Sequence, residues 1–450
     1  MLYDFIKERM MCFPNQCLSD SSRSITFPEV VSFVEDFSSQ LKCAKIGILC
    51  DWELNTGLGL LACFKAGVTA VPLSYRYGKV HVDKIIQAMS LSYVISDDGG
   101  MLHIKQLHPI VAECEDLSDV VLIMCTSGTT GQAKGAMLTH ENLVTNIRDI
   151  DRYFSIDHQD TILIARPLYH SGVLTGEFLI SLCKGLNIRF HDGAFDPVRL
   201  IWEIARQDIT VFGGTPTLLY HMCRMASRSK DRVLLRVVVS SGECMTRQAA
   251  DLMIATMPDT SMYHAYGLSE AGPRVSVLLP EEFSCHPLSV GYPLESVEVR
   301  IENGELLVRG NNVMKGYYND QVLTEKILDE EGGLYTGDSA VLDDKGRITI
   351  KGRLDHMIIR AGVNINPQEI ENVLKADSRV EDVLAYGQLC GTTQRLCAQI
   401  VTDDLDKNQL MTICREKLPE YAIPDVLQLV DSIPRNASGK VIRPRFRSLS

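Results

Sequence analysis

The run Val120-Val121-Leu122-Ile123-Met124-Cys125 passes straight into Thr126-Ser127-Gly128-Thr129-Thr130-Gly131-Gln132-Ala133-Lys134-Gly135. A short unbroken apolar run that ends on turn residues predicts a strand covered on both faces. A sheet buried on both sides needs layers above and below it, so the chain must build an α/β architecture. The preceding segment has the same rhythm. Lys45-Ile46-Gly47-Ile48-Leu49-Cys50 predicts a buried strand, Leu58 to Lys65 a helix ending near Gly67, and Thr69-Ala70-Val71-Pro72-Leu73 the next strand. Val237-Val238-Val239 predicts a further short strand.

From about residue 297 the pattern changes. Val297-Glu298-Val299-Arg300-Ile301, Asn303-Gly304 and Leu306-Leu307-Val308 together predict a hairpin closed by a favoured turn pair. Asp343-Asp344-Lys345-Gly346 leads into an alternating strand, Arg347 to Ile350. Asn366-Pro367-Gln368-Glu369 carries a cap, a proline at the first helical position and an acid three residues after the cap. Val383–Tyr386 and Cys397–Val401 predict strands. The expected layout is a large N-terminal domain, 1–353, of layered α/β subdomains with a β-rich subdomain, then a small α+β C-terminal domain, 354–450.

Composition narrows the function. In 450 residues there are 45 Lys and Arg against 57 Asp and Glu, a formal charge of −12. A general nucleic-acid binder needs a cationic surplus, so that class is disfavoured. The 14 cysteines include no C-x-x-C pair, and most sit in apolar company such as Leu61-Ala62-Cys63-Phe64. Buried reduced thiols in a reducing compartment are expected, not zinc or redox motifs. The first residues, Met1 to Arg9, mix acids and bases without the apolar core of a signal peptide, and no stretch has the length of a membrane span. A cytoplasmic protein is the expectation.

The segment after Cys125 carries the chemistry. Its glycines let backbone approach a ligand, its hydroxyls and successive N–H groups suit an anion, and Lys134 adds a positive charge. It is not a Walker A loop, because Lys134 is followed by Gly135 and not by Ser or Thr. A triphosphate is the expected ligand, held beyond the carboxyl end of a strand.

This loop resembles the phosphate loop of the adenylate-forming superfamily of AMP-dependent acid ligases. Five further segments match that superfamily in order. They are Pro167-Leu168-Tyr169-His170-Ser171-Gly172, Tyr266-Gly267-Leu268-Ser269-Glu270, Tyr335-Thr336-Gly337-Asp338, Gly352-Arg353-Leu354-Asp355 and Arg435-Asn436-Ala437-Ser438-Gly439-Lys440. The resemblance implies a set of roles. Thr126, Ser127, Gly128, Thr129, Thr130, Gly131 and Lys134 would hold the phosphates, with Ser269 keeping the hydroxyl where the superfamily usually has Thr. Glu270 would bind Mg²⁺, Tyr266 and Gly267 would face adenine, and Asp338 and Arg353 the ribose. Lys440, with Thr130, Glu270 and His170, would be the catalytic set. Asp355 would be the hinge of a mobile C-terminal domain, and Gly362 would line the thiol path. Asn436-Ala437-Ser438 departs from the usual motif, which has Thr before the glycine.

The resemblance also implies two half-reactions, from acid and ATP to an acyl-adenylate, then to a thioester with CoA or, alternatively, with the phosphopantetheine arm of a carrier protein. No Asp follows Tyr169-His170 to hold an amine, and the nearest acid is Glu177, so an acyl or aryl acid without an α-amino group is expected. Gly214-Thr215-Pro216 and Ser241-Gly242 are expected to line its pocket, with Ser171, Gly172 and Gly176 leaving room.

Overall fold

The computed structural model describes residues 1–74, 78–107, 115–127, 133–192, 196–227, 234–360, 363–390, 393–435 and 441–443. Two large mixed sheets form the N-terminal part. One has nine strands, in the order Tyr292–Pro293, Arg274–Leu278, Ser261–Gly267, Val237–Ser241, Val211–Gly214, Thr161–Ile164, Asn187–Phe190, Cys17–Ser19 and Ser24–Thr26. Its interior strands are parallel, from Ser261–Gly267 across to Cys17–Ser19. The other has seven strands, with Val120–Ser127 between Ala133–Thr139 and Thr69–Pro72.

Helices fill the space between these sheets. Glu53–Ala66 stops at Gly67, whose φ of 69° suits the left-handed cap. Its Gly57 lies against Phe178, where a Cβ would come within 2.8 Å of the ring. His140–Tyr153 starts at a reciprocal capping box between Thr139 and Asn142. One continuous apolar core runs from Ile46 and Leu122 through Phe64 and Phe178 to Val237. A second core lies on the other face of the nine-stranded sheet, under helices Pro197–Arg206, Pro216–Ala226 and Arg247–Thr256.

The change of pattern near residue 297 is a four-stranded antiparallel sheet, Val297–Glu302, Glu305–Gly310, Leu334–Leu342 and Ile348–Arg353. Asn303 and Gly304 take positive φ, 51° and 81°, in its first turn. Beyond it a separate apolar core spans Ile358 to Leu427. Asn366 caps helix Pro367–Lys375 through the Gln368 N–H at 3.0 Å.

Ala133–Thr139 pairs antiparallel with Val120–Ser127, so Lys134 sits in a strand opposite Thr126. One expectation needs correction. The helix expected from Leu58 begins five residues earlier, at Glu53, because its first turns are buried nearly all round and show no one-sided pattern.

Candidate active site

The parallel strands set the floor of the site. Gly214 pairs in register with Ser240, and Ser241 with Ala265. Gly214-Thr215, Ser241-Gly242 and Tyr266-Gly267 therefore emerge side by side at one sheet edge, where α/β sheets hold ligands. Gly242 has a φ of 92°, and its open face looks at Thr215 and Arg166. Gly267 is required sterically, since a Cβ there would fall 1.7 Å from the Pro273 carbonyl oxygen. That carbonyl accepts the Leu268 N–H at 2.9 Å, folding 268–273 into a tight loop around the short helical turn Ser269–Ala271.

The loop presents two side chains. The Ser269 hydroxyl lies 3.0 Å from that of Ser171. The Glu270 carboxylate accepts a hydrogen bond from the Tyr317 hydroxyl at 2.7 Å. Burial, and then the Glu270 charge, raise the Tyr317 pKa, so the phenol remains a donor. Strand Gly316–Tyr317 pairs with Ala136 and Met137, and the Lys134 ammonium lies 5.6 Å from the centre of the Tyr317 ring. Tyr317 thus joins the lysine of the hairpin to the acid of the loop. Sequence reasoning missed it, because the contact spans 47 residues to Glu270 and Tyr317 sits in no recognisable motif.

A second cluster forms around Asp338, buried in strand Leu334–Leu342. It accepts the Tyr266 hydroxyl at 2.5 Å, and Arg353, its cross-strand partner, approaches to 3.4 Å. Arg353 also donates to the Thr336 carbonyl at 2.8 Å. Gly337, with φ 72°, gives the guanidinium room, as a Cβ would come 2.8 Å from it. Burial and then Asp338 push the Tyr266 pKa well up, leaving a neutral aromatic with one edge fixed.

The residues expected to border the acid follow Pro167. His170 precedes helix Ser171–Val173, its ring centre 4.2 Å from that of Tyr169. The helix continues as a π-turn, Leu174–Leu179, then as Ile180–Lys184. Glu177, in the π-turn, is buried and ion-paired with Arg166, which reaches Ser241 at 3.5 Å. The nearest acid to the expected amine position is thus already neutralised. Sequence reasoning also missed Arg166 and the neighbouring buried Arg274, which lie outside every motif that stood out.

The remaining expected residues fall on the phosphate segment and in the C-terminal part. Gly128, Thr129, Thr130, Gly131, Gly362 and Lys440 lie outside the described residues, and of Thr126 and Ser127 only the strand backbone is described. Arg435 and Val441, which flank 436–440, form a bridge, and the Ile442 N–H donates to the Pro434 carbonyl at 2.8 Å. Arg435 and Lys375 pair with Asp382 at 2.6 and 2.7 Å. Burial raises the Asp382 pKa, but the two cations outweigh it and hold it low. Arg443 pairs with Glu371, and Arg224 of helix Pro216–Ala226 reaches Glu381 at 2.9 Å. Asp355 lies in the short turn Leu354–His356, directly after the last strand of the four-stranded sheet.

The donor set suits magnesium. Among the described residues no cluster of three or more His, Cys, Asp or Glu is poised for a metal. Mg²⁺ needs only one or two carboxylates when phosphates and waters complete its shell, and Glu270 would be one. Twelve free cysteines are described, several of them buried, with burial pushing Cys125, Cys183 and Cys223 up to about 12. No described helix is long and apolar enough to cross a membrane.

Comparison with known proteins gives a consistent picture. Residues 8–318 match the AMP-binding enzyme family, and 369–440 match the AMP-binding enzyme C-terminal domain. A feruloyl-CoA synthase of an Amycolatopsis species is 30% identical over 423 residues, covering 86% of this chain and 85% of that protein. A long-chain-fatty-acid–CoA ligase of Salmonella typhimurium is 30% identical over 399 residues, covering 84% and 69%. The structure of o-succinylbenzoate coenzyme A synthetase from Bacillus subtilis, in complex with ATP and magnesium ion, superposes with a TM-score of 0.82 at 25% identity, over 97% of this chain and 98% of that one. ATP-bound MatB from Rhodopseudomonas palustris shares the fold, with a TM-score of 0.85 at 21% identity over 98% and 97%. The curated relatives are CoA ligases, which disfavours a carrier protein as the thiol partner. The chain belongs to the AMP-binding enzyme family and is one of its AMP-forming acid–CoA ligases.

Proposed function

We propose that this enzyme joins a carboxylic acid without an α-amino group to CoA, using the residues gathered at the strand ends. In the first half-reaction a carboxylate oxygen attacks the ATP α-phosphorus, and pyrophosphate leaves as the bridging bond breaks. In the second, the CoA thiol gives up its proton, its sulfur attacks the acyl carbon, and AMP leaves.

The observation that carries this reading is the convergence of two clusters on one edge, Tyr317–Glu270 with Lys134, and Tyr266–Asp338–Arg353. Asp338 has acceptor capacity for the ribose hydroxyls, while Tyr266 offers its face to adenine with its hydroxyl already tied. Lys134, Ser269 and the residues Thr126 to Gly131 would take the phosphates. Glu270 would hold Mg²⁺, which when bound offsets phosphate charge. His170 would border the acid beside Ser171, and Gly242 would border the nucleotide. Lys440 would bring a cation to the two anions as they join, where such a charge acts most strongly. The non-amino preference follows from Glu177, whose charge Arg166 already takes.

The unit 354–450 would turn about Asp355, exchanging Lys440 for Gly362 between the half-reactions. The cytoplasm is the proposed location, since buried thiols suit a reducing compartment. The test is acid-dependent pyrophosphate release with ATP and Mg²⁺, followed by thioester formation on adding CoA, over fatty, aryl and amino acids. Release with acyl or aryl acids is expected; a preference for α-amino acids would overturn the reading of the pocket.

A further inference from the structure

We infer that the acid pocket holds a second anion site, so that the preferred acid carries another carboxylate at the end remote from the reacting one, with Arg274 as its anchor. The inference rests on the ligase reading above and specifies its substrate class.

Arg274 opens the strand that follows the Ser269–Glu270 loop, opposite Gly267 in register, and is only 3% exposed. Its backbone is held on both sides. The N–H donates to the Asn146 side chain at 3.2 Å, and the carbonyl accepts from Asn146 at 2.8 Å and Asn312 at 3.2 Å. None of these bonds involves the guanidinium. Its Nε and Nη1 are buried with no hydrogen-bond partner, and Arg274 makes no ion pair among the described residues. A guanidinium does not lose its proton in a protein, so burial cannot neutralise it. An unpaired buried charge is costly, and a structure that keeps one has a use for it.

No described acid pairs with that cation. Glu177, at 2% side-chain exposure, pairs with Arg166 through one oxygen, and its other oxygen is buried without a partner. Two glycines make room for them. A Cβ on Gly176 would come 2.5 Å from the Arg274 Nη2, and one on Gly213 would come 2.3 Å from the Glu177 carboxylate. The Arg274 guanidinium therefore lies on the bare face of the helix that begins at Ser171.

That helix also gives the spacing. Ser171 touches Ser269, next to Glu270, at the reacting end. Gly176 is five residues further along, in the π-turn of the same helix. An acid placed with its reacting carboxyl by Ser171 would reach Arg274 with its other end. A carboxylate satisfies two guanidinium donors at once, whereas an ammonium would add to the positive charge and a plain methyl would leave the donors unpaired.

Matched acids test this in pyrophosphate release: hexanoate against hexanedioate, octanoate against octanedioate, and phenylpropanoate against its ring-carboxylated counterpart. At least one carboxylate-tipped acid is expected to exceed its plain partner by about 10- to 100-fold in kcat/KM. Arg274→Met should erase that preference, leave the KM for ATP unchanged and raise the ligand-free Tm, since a lone buried charge is gone. Arg274→Lys should keep part of the preference. Plain acids favoured in every pair would overturn the inference while leaving the ligase reading intact. A raised KM for ATP in Arg274→Met, with acid preference unchanged, would also overturn it, by assigning the guanidinium to the nucleotide. No turnover with any acid would sink both readings together.

Discussion

The two parts of this molecule hold their candidate site residues in different settings. In the N-terminal part, short side-chain hydrogen bonds, Tyr266 to Asp338, Tyr317 to Glu270 and Ser269 to Ser171, stand beside the Arg353–Asp338 and Arg166–Glu177 ion pairs. They sit at the edge of a core that is continuous through both large sheets. In the C-terminal part, Arg435 and Arg443, on either side of 436–440, are held by ion pairs, Arg435 with Lys375 to Asp382 and Arg443 to Glu371, over a core of its own. A cross-part ion pair is Arg224–Glu381, with side chains 32% and 44% exposed. The difference teaches how labour is divided. On the proposed reading, packing would preorganise the nucleotide groups, while a unit with a core of its own and a screened ion pair to the rest would move without breaking a core.

The sharpest way to break this comparison is Lys440→Ala. If the small unit delivers a cation only for the first half-reaction, adenylate formation falls by about 100- to 1,000-fold. Thioester formation from supplied acyl-adenylate and CoA stays near wild type. Equal loss in both half-reactions, measured by single-turnover rates, would mean that the two parts do not alternate.

Asp338→Asn probes the N-terminal part instead. The Tyr266 hydroxyl can still donate to the amide oxygen, but the charge facing Arg353 and the proposed ribose position is lost. A KM for ATP raised by about 10-fold is expected, in keeping with one charged hydrogen-bonding group removed, with the KM for the acid little changed. An effect on the acid alone would place Asp338 outside the nucleotide contacts and weaken the contrast.

How much of this was legible in the chain follows the same divide. The strands at Val120 and Val237, the hairpin at Asn303-Gly304 and the cap at Asn366 were all legible, because short-range patterns specify them. So were Glu270, Tyr266 and Asp338 as a set, through ordered motifs that resemble a known superfamily. Their partners were not. Tyr317 meets Glu270, and Arg274 lies on Gly176, only after strands far apart in sequence are laid side by side. The antiparallel pairing that sets Lys134 opposite Thr126 was not legible either, because glycines after an apolar run suit either a strand–helix turn or a strand–strand turn, and the choice rests on pairing across the sheet. The buried charges Arg166 and Glu177 are invisible locally, since burial is a property of the assembled layers.

The gentlest test is Arg224→Ala. A half-exposed ion pair contributes about 0–1 kcal/mol and is screened by salt, so global stability in a denaturant titration should barely change. The pair nevertheless belongs to one orientation of the C-terminal unit, and 1 kcal/mol is about a fivefold shift between two orientations. Removing it should slow the half-reaction that this orientation serves and speed the other, each by less than about fivefold. The opposite signs are the signature, because a change in nucleotide affinity or in folding would move both rates the same way. The shift should also vanish as ionic strength rises, when wild type and variant lose the same attraction. Rates that stay equal to wild type at low salt would mean that the ion pair exerts no hold on the unit, and that its position is set by the chain near Asp355 alone.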